Sequence, residues 1–246
     1  FFYRWCFMPQ QPEKYLKHKT LKTFGLSEPQ LRDLLKSVSH GHDLHIRLIA
    51  NLPCVDIFIS AESKVERIAD SLLASAEKSI CNQIGDNIYA FNNENMEEVV
   101  GYLLYLKQYS LSIAENCTGG LLSNLISNIT GCSFYYKGGI TACDADAVNL
   151  LFNIPRESIE RYGLVSERVT KDMACAVSNI TKSNFALSVT GIMGLEEGEN
   201  VGMVWICLYA NGQSTCRQFF FSGERHEMKL KAAYTAFDLL RRELLD

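Results

Sequence analysis

No apolar run in this chain approaches the roughly 20 residues that a membrane-spanning helix requires, which excludes a helical membrane protein. The opening FFYRWCFMPQQP has neither a continuous apolar core nor a small-residue cleavage site, so no signal peptide is expected. It also lacks an initiator Met, as expected of a processed or partial chain. Positive charge is in deficit: 24 Lys and Arg against 28 Asp and Glu give a net charge of −4. That balance offers no electrostatic basis for binding nucleic acid or an anionic membrane surface. Nine cysteines are an odd number with no Cys-x-x-Cys pair, and most sit in apolar contexts such as Cys207 in VWICLYA. Reduced core thiols in a cytoplasmic protein are therefore expected, not a disulfide framework.

What remains is an ordinary globular composition, 47% hydrophobic and 21% charged over 246 residues, enough for one large domain or two small ones. Residues 1–18 are aromatic, then polar, broken by Pro9 and Pro12, and read as a tail. Residues 19–92 read as a small α/β unit. It comprises a strand ending at Gly25, a helix capped by Ser27, strands over 43–51 and 55–61, a helix over 64–84 closed by Gly85, and a short strand over 87–91. Asn92-Asn93-Glu94-Asn95 is the natural linker, and charge changes across it: 11 basic against 10 acidic residues before Asn93, 13 against 18 from Asn93 onward.

Residues 93–246 read as a larger unit in which strands alternate with helices, implying a layered α/β domain with a central sheet. Its first helix places Met96, Val99, Val100, Leu103 and Leu104 on one face. Its last carries Leu230, Ala233, Phe237, Leu240 and Leu244 inward, and leaves Lys229, Lys231, Arg241 and Arg242 on a solvated face.

The strongest local signal is SLSIAENCTGGLL, Ser110 to Leu122. An apolar strand stops at Glu115-Asn116-Cys117-Thr118, and Gly119-Gly120 opens a helix. Free backbone N–H groups at a helix start suit an anion or the oxyanion of an acyl transfer. The Gly-Gly pair alone is equally a device for entering a helix. Thr118 reads as a helix cap. His40, His42 and His45 with Asp43 form a close cluster, but no Cys or Glu completes a standard metal site, and a solvated turn is expected.

Further glycine-marked segments follow in order: Gly138-Gly139, Val165-Ser166-Glu167, Val189-Thr190-Gly191-Ile192 and Phe221-Ser222-Gly223-Glu224-Arg225. Together with ENCTGG they resemble the C-terminal amidase domain of the CinA family, over about residues 97–245. Residues 19–91 are similar to that family's KH-like middle domain, through KTLKTFGLSEPQL and IGDNIY. The family's N-terminal molybdopterin-binding-type domain would precede residue 1. The resemblance implies hydrolysis of the carboxamide of nicotinamide mononucleotide by a Ser nucleophile, without a cofactor, in a homo-oligomer. It implies a substrate site at Glu115, Cys117, Thr118, Gly119, Gly120, Thr190 and Gly191. The KH-like unit lacks a basic Gly-x-x-Gly loop, so a packing role is expected there instead of RNA binding.

This chain departs from the family pattern where the chemistry resides. The family turn reads Ala-Glu-Ser-Cys-Thr-Gly-Gly, and the Ser position is Asn116 here, whose amide cannot form an ester intermediate. A Tyr and a Lys activate that Ser, and their positions hold Cys143 and Val148. Of the catalytic set only Arg225 remains. The loop Met193 to Asn200 is short and acidic, and Glu196, Glu197 and Glu199 would repel a nucleotide phosphate. The resulting expectation is a catalytically degenerate amidase scaffold. The alternative is an amidohydrolase with altered chemistry, for which Cys117 beside a helix start is the candidate thiol.

Overall fold

The computed structural model describes residues 14–38, 41–194, 200–210 and 212–246. His40, Cys6 and the acidic stretch 195–199 lie outside the described residues. Apart from Leu52–Cys54, the chain divides into two compact units between Asn93 and Glu94, within the polar Asn92–Asn95 segment.

The first unit runs β1 (Tyr15–Thr23), α1 (Glu28–Leu34), β2 (Leu44–Asn51), β3 (Cys54–Ser63), α2 (Glu66–Ile84) and β4 (Ile88–Phe91). Its four strands lie in the order β2-β3-β1-β4, with β1 antiparallel to both β3 and β4. Leu21, Ile57 and Ile59 bury one face of the sheet with Leu31, Ile80 and Ile84 of the helices. The strand begins at Tyr15, so residues 15–18 are not the tail the sequence suggests. The polar character that hides this strand has a long-range cause. Lys17 and Lys19 pair with Ala61 and Ile59 across the sheet, and their ammonium groups reach Glu66 and Glu77 of α2, at 2.6 and 2.5 Å. Their aliphatic stems cover the sheet while the charges meet carboxylates from the helix.

The second unit runs α3 (Met96–Lys107), β5 (Leu111–Glu115), α4 (Leu121–Ser127), β6 (Tyr136–Thr141), α5 (Ala145–Phe152), α6 (Arg156–Tyr162), α7 (Glu167–Thr181), β7 (Phe185–Gly191), β8 (Met203–Ala210), β9 (Gln213–Phe220) and α8 (Arg225–Leu245). Local signals set several of these ends. Asn95 and Glu98 form a capping box on α3, with the Asn95 N–H donating to the Glu98 carboxylate at 2.6 Å. The Asp144 carboxylate accepts the Ala147 N–H at 2.7 Å to start α5, and the Ser166 hydroxyl accepts the Val169 N–H at 3.3 Å to start α7.

The sheet order is β6-β5-β7-β8-β9, with β5 parallel to β6 and β7, and β8 antiparallel to β7 and β9. Helix α7 covers β5, β7, β8 and β9, while α8 packs on β7 and β8 beside α3 and α4. A layered α/β domain results, as expected. Side chains alternate between the two layers. Ala114 and Ala186 join Val169, Met173 and Val177 of α7 in one apolar cluster. Ser188 and Thr190 point to the same side and satisfy α7, through the Ser188 hydroxyl to the Thr170 carbonyl and a 2.6 Å bond between the Thr190 and Thr170 hydroxyls. No described helix is long and apolar enough to cross a membrane.

The basic run on α8 is not one solvated face. Arg241 is 3% exposed and donates to the Asp238 carboxylate through Nε at 2.9 Å and through Nη2 at 2.7 Å. A neighbouring carboxylate on the same helix draws the guanidinium inward, which periodicity alone does not register.

Glu97 is the unusual charge of this layer. It is buried in the first turn of α3, and its Oε2 has no hydrogen-bond partner. Burial raises its carboxyl above the ordinary value near 4.5, an effect partly offset by its backbone N–H and by the Tyr234 hydroxyl of α8. A carboxyl raised in the folded state stabilises the fold below its unfolded value, and that contribution is lost as pH rises through the folded value. Glu97→Gln is therefore expected to melt higher than the parent at pH 7, with the gap closing as pH falls towards 4. Thermal melts of both proteins across that range check it.

Candidate functional site

The ENCTGG turn is built around the side chain of Glu115. This carboxylate ends β5, has no solvent exposure, and accepts four hydrogen bonds. Thr118 Oγ1 donates to Oε2 at 2.8 Å and the Leu122 N–H to Oε2 at 3.0 Å. The Ser123 N–H and hydroxyl donate to Oε1 at 2.9 and 2.6 Å. Two corrections follow. Thr118 does not cap α4, since its hydroxyl is turned back onto Glu115. The first-turn N–H groups of Leu122 and Ser123 are not free for an external anion, because Glu115 already occupies that position.

The glycines make this return of the chain feasible. Gly119 and Gly120 have φ of +65° and +90°, values that L side chains rarely adopt. Gly139 of β6 passes so close to α4 that a Cβ would collide with the Ser123 hydroxyl and the Tyr136 hydroxyl. Tyr136 hydrogen-bonds Ser123, and its phenol is raised chiefly by burial. Tyr136, Ser123 and Glu115 thus form one chain of hydrogen bonds behind the turn.

Asn116 stands at the end of β5 with 7% exposure. Its backbone N–H donates to the Val189 carbonyl at 3.0 Å. Its side-chain Nδ2 donates to the Ala142 carbonyl at 2.9 Å, just past β6. The carboxamide therefore clips the ends of β5 and β6 together. Cys143 is next to this clip, exposed, with its thiol 3.9 Å from the Asn116 carbonyl oxygen. Cys117 is half-buried, and a Cβ on Gly191 would stand 3.0 Å from its Sγ and 2.9 Å from the Met203 carbonyl. Only a glycine permits that approach. Thr190 is fully buried, and its hydroxyl is bonded to Thr170 behind the sheet.

Val148 stands apart from this group in environment. It is fully buried on α5, in the cluster of Ala114, Ala142, Phe152, Val169 and Met173. Arg225 opens α8 and is exposed. One turn later, half-buried Lys229 brings its ammonium to 3.4 Å from the position a Gly119 Cβ would take. The sequence reading assigned Lys229 to solvent and missed it. The available signal was its spacing of four from Arg225, which puts both on one face of α8.

A surface concavity of about 600 Å³ lies elsewhere, lined by Leu151, Ile154, Asp172, Cys175 and Ile180, and includes no residue of the turn. Among the described residues, no three His, Cys, Asp or Glu side chains group as a metal site would require.

This arrangement of sheet, turn and glycines has counterparts. The family model for the CinA C-terminal domain matches residues 93–244, and that for the damage-inducible protein CinA KH domain matches residues 18–90. The chain belongs to the CinA family. A CinA-like protein of Syntrophomonas wolfei is 35% identical over 230 residues, covering 92% of this chain and 55% of that protein. One of Dictyoglomus thermophilum is 37% identical over 191 residues, covering 76% of this chain and 46% of the relative. The chain thus spans about half the length of the curated relatives it matches. A crystal structure of a CinA superfamily protein from Escherichia coli is 26% identical with a TM-score of 0.57, covering 65% of this chain and 98% of that one. One from Klebsiella pneumoniae, at 23% identity and TM-score 0.59, shows the same fold over 62% of this chain and 99% of its own.

The burial of Val148 generates a test. Val148→Lys would place an ammonium among apolar side chains with no carboxylate in that cluster. It is expected to destabilise the protein by about 3–5 kcal/mol, read as a lower urea midpoint. Val148→Leu should stay within about 1.5 kcal/mol.

Proposed function

We propose that this chain is a CinA-family scaffold of the nicotinamide mononucleotide amidase type that no longer performs serine chemistry. It acts as a binding or assembly module, as a homo-oligomer, with a nicotinamide nucleotide as its candidate ligand. The observation that carries this reading is the use made of Asn116. At the position of the nucleophile stands a carboxamide whose N–H is committed to the Ala142 carbonyl at 2.9 Å. It holds two strands together and offers no hydroxyl or thiol to a substrate carbonyl.

Its surroundings support the same reading. A Ser hydroxyl needs a neighbouring base to become a useful nucleophile. The nearby Cys143 supplies no phenol, and Val148 supplies an apolar wall in place of an ammonium. Groups that act as a unit fail together, so restoring one does not restore the rate. Lys229 beside Gly119, with Arg225 one helical turn before it, leaves positive charge on the side of α8 that meets the turn. That charge is consistent with retained affinity for a nucleotide phosphate in the absence of turnover.

Ammonia release from nicotinamide mononucleotide by the pure protein tests this. No release above the blank is expected, and none from Asn116→Ser. Turnover that Asn116→Ala or Arg225→Ala abolishes would overturn the reading. Calorimetry with the same nucleotide is expected to show heat that Arg225→Ala removes, and no heat at millimolar ligand would end the binding part of the proposal.

A second reading rests on the position of Cys117, a half-buried thiol in the turn itself, against Gly191. An amidohydrolase that uses this thiol would lose activity on selective alkylation there by iodoacetamide at neutral pH. If Cys117 stays unlabelled while activity persists, that reading is excluded.

A further inference from the structure

Away from the turn, three thiols converge beneath α7 at the β8–β9 edge of the sheet. Cys207 and Cys216 are direct partners in the antiparallel register of β8 and β9. Directly opposed residues in such a pair have Cα atoms about 4.5–5.5 Å apart, inside the window of about 4.4–6.8 Å that a disulfide requires. Both side chains lie on the α7 side. The Cys216 thiol is 3.9 Å from the Glu167 carbonyl oxygen, and Cys175, two turns along α7, is 3.5 Å from the hydroxyl of Ser214. Ser214 is two residues from Cys216, on the same face of β9.

The two partners differ in access. Cys207 is fully buried, whereas Cys216 lies on the edge strand and is partly exposed. A hydrogen bond to Cys216, and then burial, push the Cys207 thiol upward, so it keeps its proton while its partner reacts.

We propose that Cys216 and Cys207 form a reversible oxidative modification site, closing into a cross-strand disulfide when the protein meets a small-molecule disulfide. The exposed member attacks first. The Cys216 sulfur, as thiolate, bonds to one sulfur of R–S–S–R and expels RS⁻, leaving a mixed disulfide. The Cys207 sulfur then attacks the sulfur of Cys216 and expels the second RS⁻, which takes up the Cys207 proton and leaves as RSH. Two protein thiols lose two protons and two electrons, and the small disulfide accepts both and leaves as two thiols. Direct opposition in the ladder selects Cys207 as resolving partner, whereas Cys175 approaches from the helix above and contacts Ser214.

The test is oxidation of the folded full chain with glutathione disulfide, followed by acid quench and N-ethylmaleimide blocking. Read at each cysteine by peptide mass, Cys207 and Cys216 should both lose alkylation and regain it with dithiothreitol. Non-reducing mass spectrometry of chymotryptic peptides should join the segment containing Cys207 to that containing Cys216, with Cys175 still alkylated. Cys175→Ser should keep the link, and Cys207→Ser should stop at a stable glutathione adduct on Cys216. A link from Cys216 to Cys175, a glutathione adduct that persists on Cys216 of the parent, or full alkylation of both thiols after oxidation would each overturn the proposal. Because the parent and Cys175→Ser report this directly, poor folding of Cys207→Ser would not obscure the answer.

Discussion

A carboxylate with no access to water must collect donors, since an unpaired buried charge costs several kcal/mol. Glu115 collects four, two at each oxygen, and all come from residues three to eight positions further along the chain. To deliver them the chain has to reverse within a few residues, and Gly119 and Gly120 supply the left-handed backbone that does so. The first turn of α4 then meets a negative charge, which its dipole favours. The turn is thus fixed by a strand-end glutamate, two glycines and a helix start. Residue 116 contributes to none of those bonds through its side chain.

That division of labour leaves the form of the turn independent of the side chain at position 116, as the proposed loss of serine chemistry requires. With the turn held by Glu115, position 116 has only to fit between the ends of β5 and β6, and a carboxamide fits by donating to the Ala142 carbonyl. The replacement at 148 follows a parallel logic. An ammonium there would need an anionic or solvated partner, whereas a valine joins Ala114, Phe152 and Met173 in a closed apolar cluster. Each residue is locally satisfied, and on the proposed reading each stands where a serine mechanism would need another group.

The elements that the sequence revealed are those with local causes. Helices α5 and α6 begin where Asp144 caps one and Pro155 precedes the other, and the domain division falls at the polar Asn92–Asn95 segment. The layered α/β architecture and the order of the glycine turns were legible for the same reason. What escaped were charges with distant partners. Lys17 looks like a tail residue until Glu66 is brought over it, as Glu77 is brought over Lys19. Lys229 looks solvated until α8 lies across Gly119, while Arg241 was misread for a nearer reason, the Asp238 carboxylate one turn back on its own helix. At the turn, the sequence shows a helix start that suits an anion. Only the folded chain shows that the anion is its own glutamate.

The sheet edge and the site are also joined mechanically, through backbone bonds that no side-chain pattern announces. The Gly202 N–H donates to the Ile192 carbonyl at 2.7 Å, and the Phe221 N–H donates to the Gly202 carbonyl at 2.9 Å. The segment leaving β7 past Gly191 is thereby tied to the start of β8, and that in turn to the end of β9. A Cβ on Gly202 would collide with the Phe221 carbonyl, so this junction tolerates no side chain. Only four residues, Phe221 to Glu224, separate β9 from Arg225 and the start of α8, the helix that carries Lys229 to Gly119. Backbone packed this closely deforms as a unit. The helix that brings Lys229 to Gly119 thus starts directly from the β8–β9 edge, whose strands are tied to the segment leaving Gly191.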